Sequence, residues 1–115
     1  IKEIVSHLID AERVFSYRLL RISRKDKTPL PGFEQDDFVR ESGADELALG
    51  DLLSEFEYLR RANAIAIKNI SEESAAQVGT ASGSAVSARA LIHMIVGHVE
   101  HHMASLREKY LPAIS

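Results

Sequence analysis

Three stretches of this chain repeat their apolar residues at the period of an α-helix, and that repeat restricts the fold more than any other feature. From Ile1 to Ser23 the apolar positions are Ile4, Val5, Leu8, Ala11, Phe15, Leu19 and Ile22. From about Asp45 to Ile70 they are Leu49, Leu52, Leu53, Phe56, Leu59, Ile67 and Ile70, with Asn63 standing inside the stripe. The third stretch runs to about Tyr110. Ser87 is its expected N-cap, Val86 and Leu91 are spaced to form a hydrophobic staple across that cap, and Pro112 closes the helix.

The segments between these stretches read as breaks. In "RKDKTPLPGFEQDD" two prolines and a glycine fall within four residues, which a helix does not continue through. A short helical turn fits around "DDFVRES". "SEESAAQVGTASGS" reads as a loop of small polar residues that opens with one helical turn at Ser71. No β pattern and no internal repeat stands out. The chain therefore reads as all-α, with residues 1–115 forming one domain, and three long helices with long connections suit an up-and-down bundle. No capping residue precedes the first stretch, and three helices leave a groove for a fourth. The expectation is that a first helix is missing from this chain, or that a second copy covers the groove as a homodimer.

Composition excludes several functions. A formal net charge of -3 argues against a nucleic-acid module, which carries a basic patch. The chain has no cysteine, which removes disulfides, zinc knuckles and thiol nucleophiles and fits a cytoplasmic location. "ALIHMIV" is far shorter than a membrane span, and no signal peptide is visible.

The chemistry-bearing feature is "GHVEHHMASL", which puts His98, His101 and His102 within five residues. His98 and His102 are four apart on the third helix, so their imidazoles lie one above the other and can grip one metal ion. Leu91 and Ile95 share that face, at the shoulder of the buried stripe. His101 is rotated by roughly 60° and points aside, and His93 lies near the opposite flank. The first helix offers a third ligand in His7, with Ala11 leaving room one turn further on. Asp10 can serve as an outer carboxylate that fixes the tautomer of His7. Glu12 and Glu100 rotate away from the ligand faces. The same spacing also fits a hydrogen-bonded core cluster or solvated histidines, and periodicity does not choose among these.

"IKEIVSHLIDAERVFSYRLLRI", "TPLPGF" and "SARALIHMIVGHVEHHMASLREKYLP" together resemble the DinB-like superfamily of bacterial metal-binding four-helix bundles. The resemblance runs along nearly the whole chain. It implies that His7, His98 and His102 are the metal ligands, with His101 the inner, non-ligating histidine. It also implies that the family's usual first helix would precede Ile1, and it favours zinc or nickel as the ion.

Three neutral imidazoles with an open fourth position make a Lewis-acid site. Such an ion either lowers the pKa of a bound water, which gives a hydrolase, or binds an external thiol as its thiolate. The second route gives an S-transferase like those the family resembles, with a low-molecular-weight thiol such as bacillithiol or mycothiol as cofactor, because the chain has no thiol of its own. Either route takes a small-molecule substrate. The competing reading is a non-catalytic dimeric bundle with a structural or vestigial metal site, and a third is metal sensing or storage. Arg18, Arg21, Arg24 and Lys25 form a basic run that reads either as a solvated face or as an anion clamp for a carboxylate-bearing cofactor. Arg18 is the best placed of these because it shares the face of His7. Tyr17, Tyr58 and Asn63 can also line the site, though an asparagine in an apolar stripe is more often a hydrogen-bonded core residue.

Overall fold

The computed structural model of the chain describes residues 1–97. These are mostly helical, in agreement with the all-α reading. The first helix, α1 (Lys2–Ser23), matches its expected span to within a residue. It stops well before the prolines. Lys25 takes a left-handed φ of 68°, the N–H of Asp26 donates to the carbonyl of Arg21, and the N–H of Lys25 donates to that of Ile22, each at 3.0 Å. That pair of bonds is a Schellman closure, here built on lysine instead of glycine.

A short helix, α2 (Gln35–Glu41), and a 3₁₀ turn at Ala44–Glu46 follow. The long helix α3 (Leu49–Lys68) then starts four residues later than the expected Asp45, because Leu47 is extended and only Ala48 precedes the first turn. The helical turn expected at Ser71 is α4 (Glu72–Ala75), where the Ser71 hydroxyl accepts from the N–H of Ser74.

The expectation of no β-structure fails at one place. Val78–Ala81 (β1) and Ser84–Ser87 (β2) form an antiparallel hairpin in which Val78 pairs with Ser87 and Ala81 with Ser84. Its two-residue turn has φ of 52° at Ser82 and 77° at Gly83, and two left-handed residues in succession match the twist of the flanking strands. Leu30 adds one parallel bridge to Ala81. The next helix, α5, begins at residue 88 and continues to 97. The Ser87 hydroxyl accepts from the N–H of Ala90 at 3.0 Å, as expected of its cap, and Val86 packs into the same cluster as Leu91.

Helix directions follow from which residues meet. Along α1 and α3, Val5 and Ile9 pack on Leu52, Arg13 meets Glu55, Glu12 meets Arg60 and Asn63, and Leu19 and Ile22 share a cluster with Ile67 and Ile70. Both series ascend, so α1 and α3 run in the same direction. The up-and-down alternation expected for them is therefore not met. The physical reason is the connection 24–48, which climbs back along α1. Pro31 lies beside Arg18, Phe38 lines clefts with Val14 and Asp10, and the carbonyl of Asp45 accepts from Lys2. Helix α5 runs the other way, with Ala88 in the cluster around Ile22 and the Ile95 carbonyl at the level of Arg60 and Glu12.

Helix α1 is the centre of this packing. Val5, Ser6, His7, Leu8 and Ile9 are all buried, and five consecutive residues at 100° per step cover every side of the helix. Leu8, Ile22, Leu91 and Ile95 are fully buried, each contributing roughly 1.5–3 kcal/mol of apolar burial. Helix α3 contrasts sharply, with Leu52 its one buried residue. Among the described residues no helix is long and apolar enough to cross a membrane.

Candidate functional site

Of the three expected metal ligands, His7 lies within the described residues, whereas His98 and His102, like His101 and Glu100, lie outside them. His7 sits on α1 inside the fully surrounded stretch 5–9 and is 7% exposed. Ala11, one turn on, is also buried, so the wall beside the imidazole is small, as the spacing argument requires. A buried neutral imidazole is a fit donor for a borderline divalent ion. His93 is exposed on α5. Among the described residues no group of three His, Cys, Asp or Glu side chains converges closely enough to hold a metal.

Asp10 does not stand alone beside His7. It is half-buried and lines a cleft with Ser6, Ile9 and Glu55. Burial pushes its carboxyl up from the usual carboxylate range, the Glu55 charge adds to the rise, and Arg13 offsets part of it. Arg13 itself pairs with Glu55 at 2.8 Å.

A polar cluster that helical period does not reveal occupies the junction of α1, α3 and α5. Glu12 is 2% exposed, and both of its carboxylate oxygens are engaged. Arg60 Nη1 donates to Oε1 at 2.8 Å, and Asn63 Nδ2 donates to Oε2 at 2.9 Å. The same Arg60 nitrogen reaches the Ile95 carbonyl at 3.4 Å, so the carboxylate ties three helices together. Asn63 thus has the hydrogen-bonded core role expected of it. Glu12 was weighed only as a metal ligand, and its rotation away from His7 is what brings it to face α3. A signal was present in the sequence. Glu12 falls between Leu8 and Phe15 in one apolar stripe and Asn63 between Leu59 and Ile67 in another, and two polar residues in two buried stripes are natural partners.

The basic run divides. Arg21 is half-buried and occupied locally, bonding Asp26 at 2.7 Å and the Tyr17 hydroxyl at 3.1 Å while its guanidinium lies 5.6 Å from the Tyr17 ring centre. Arg24 and Lys25 are exposed at the helix end, and Lys25 meets Glu73. Arg18 is different. It is 8% exposed, and its Nη2 donates to the Pro31 carbonyl at 2.9 Å and to the Ser82 hydroxyl at 3.2 Å. The solvated-face reading is wrong for this residue. Tyr58, at 67% exposure, lies on the outer side of α3.

No curated protein and no solved structure matches the chain. A family model described as the DinB superfamily matches residues 1–106, which covers the described core, His7 and both outer histidines of "GHVEHH". The chain belongs to the DinB superfamily.

Proposed function

We propose that this protein is a metal-dependent enzyme whose divalent ion is held by His7, His98 and His102, acting as a hydrolase or as a low-molecular-weight-thiol S-transferase. The observation that carries this reading is the direction of α5. Ile95 lies level with Glu12, and His7 is five residues, about 7.5 Å, further toward the start of α1. As far as residue 97, α5 runs from Ile95 toward the level of His7, and His98 and His102 come three and seven residues after Ile95 in the sequence. Membership of a superfamily that is generally metal-binding supports the same site. Zinc or nickel suits three imidazoles, and such an ion supplies Lewis-acid activation of water or of a thiol. The chain's own contribution is burial. Leu8 and Ala11 are buried on α1 along with His7, and the Glu12–Arg60–Asn63 cluster holds α1, α3 and α5 together.

The test is metal content in full-length protein prepared without chelators. One equivalent of zinc or nickel per chain is expected, falling below about a tenth in His7→Ala, His98→Ala and His102→Ala and unchanged in His93→Ala and His101→Ala. Substoichiometric metal that these ligand substitutions leave unaltered would instead favour the silent structural bundle.

The outer face of α3 supports a homodimer. Tyr58 and Ile65, one above the other on the same side, are 67% and 63% exposed on a helix that buries only Leu52, and a second copy of the chain is the commonest closed way to cover such a face. Light scattering of the full chain is expected to give the mass of two chains, and the mass of one would remove the proposal.

A further inference from the structure

Arg18 is a buried cation without a counter-charge among the described residues. Among the described residues no carboxylate pairs with it, and its two acceptors, the Pro31 carbonyl and the Ser82 hydroxyl, are neutral and share the single nitrogen Nη2. Nε and Nη1 carry three further N–H groups with no acceptor among the described residues. Neither of those nitrogens is sealed from solvent, since no fully buried side-chain nitrogen or oxygen among the described residues lacks a partner. Burying a charge on these terms costs free energy, and desolvation accordingly depresses the Arg18 pKa. Tying the 30–33 loop to the hairpin does not require a cation, because a neutral donor would serve the same two acceptors.

The space beside Arg18 is a cleft of about 370 Å³ with apolar walls from Val14, Leu30, Phe33 and Phe38. The Phe33 and Phe38 rings lie 5.1 Å apart at 48°, a tilted pair in its lining. Arg13 also lines the cleft, and among the described residues no acidic side chain does. That volume is at the small end of ligand pockets, which begin near 300 Å³. One buried guanidinium with spare donors, in an apolar cleft without acids, matches a single negative charge on a compact apolar body. A doubly charged phosphate would need Arg13 as well, and that guanidinium is already paired with Glu55.

We propose that this cleft binds a small apolar monocarboxylate, such as an aryl or short-chain alkyl acid, with Arg18 recognising the carboxylate and Phe33 and Phe38 packing on the body. The site stands apart from the metal reading. Arg18 is eleven residues, about 16 Å, along α1 from His7.

The experiment is calorimetric titration of the full chain with phenylacetate and with its neutral isostere phenylacetamide, in the presence of a chelator. Phenylacetate is expected to bind at least about tenfold more tightly than the amide. Arg18→Met is expected to erase that difference, and Ser82→Ala, which removes only one of Arg18's internal acceptors, is expected to keep it. Should Arg18→Met fail to fold, Val14→Trp, which fills the cleft and leaves both Arg18 hydrogen bonds in place, must abolish binding of both probes. Equal affinities for acid and amide, no binding of either at millimolar concentration, or a carboxylate preference that survives Arg18→Met would each overturn the proposal. The chelator separates the two readings, because loss of metal ligation at the histidines leaves this result unchanged.

Discussion

Arg60→Ala is expected to lower the unfolding free energy by about 3–5 kcal/mol, far more than the removal of a half-exposed arginine ordinarily does. The cause is the partner it leaves behind. The Glu12 side chain is 1% exposed and cannot turn to water, so without Arg60 its charge keeps only the Asn63 amide. The reverse change is expected to be mild. In Glu12→Gln, Arg60 is left with a neutral acceptor, but a third of its side chain already faces solvent, and the loss should be nearer about 1 kcal/mol. Exchanging both for apolar residues, as in Glu12→Leu with Arg60→Met, should cost less than Arg60→Ala alone, because no charge is stranded. Urea unfolding followed by circular dichroism, with the slope m held constant, reads all three. If Arg60→Ala costs no more than Glu12→Gln, the cluster is not what fastens α1 to α3.

That asymmetry also shows where sequence reading stops. Helical period located α1 almost to the residue, because one face of Leu8, Phe15, Leu19 and Ile22 outweighs everything local, and a capping hydroxyl marked the start of α5 at Ser87. Period says nothing of direction. That α3 runs parallel to α1 depends on the 24–48 connection lying back along the first helix, a tertiary fact carried by contacts such as Lys2 with Asp45 and Arg18 with Pro31. The hairpin escaped because alanine, serine, glycine and threonine give a strand no bulky alternation, and only the Ser82–Gly83 pair carried its signal. The burial of Glu12 and Arg18 was illegible for a related reason. A charged residue on a helix is buried only where partners distant in sequence cover it, and theirs are Arg60, Asn63 and Ser82. For the proposed metal site, the sequence contributes only the histidine spacing, and the structure adds the burial of His7 and the course of α5 toward its level.

The hairpin that was missed carries the other large effect. Gly79→Ala is expected to destabilise the protein by about 1–3 kcal/mol, although alanine suits a strand better than glycine does. A methyl group at this position would stand 2.6 Å from Ile22 Cγ1 and 3.0 Å from its Cδ1. Ile22 cannot step aside. It is 1% exposed, shares its cluster with Leu19, Ala88 and Leu91, and as a β-branched residue in a helix keeps essentially one χ1 rotamer. Backbone strain does not enter, because Gly79 is not among the residues with positive φ. Gly83→Ala is the complementary case. Nothing lies within 4 Å of its added methyl, but its φ of 77° makes an L-residue cost roughly 1–2 kcal/mol by conformation alone. A double-mutant cycle separates the two causes. Ile22→Ala alone should cost about 2–5 kcal/mol. Combined with Gly79→Ala it should cost less than the sum by about 1 kcal/mol or more, since the new methyl then occupies space that the isoleucine has vacated. Combined with Gly83→Ala it should be additive. Additivity in both cycles would mean that β1 does not rest on Ile22, and the close approach of hairpin and helix that positions Ser82 over Arg18 would lose its support.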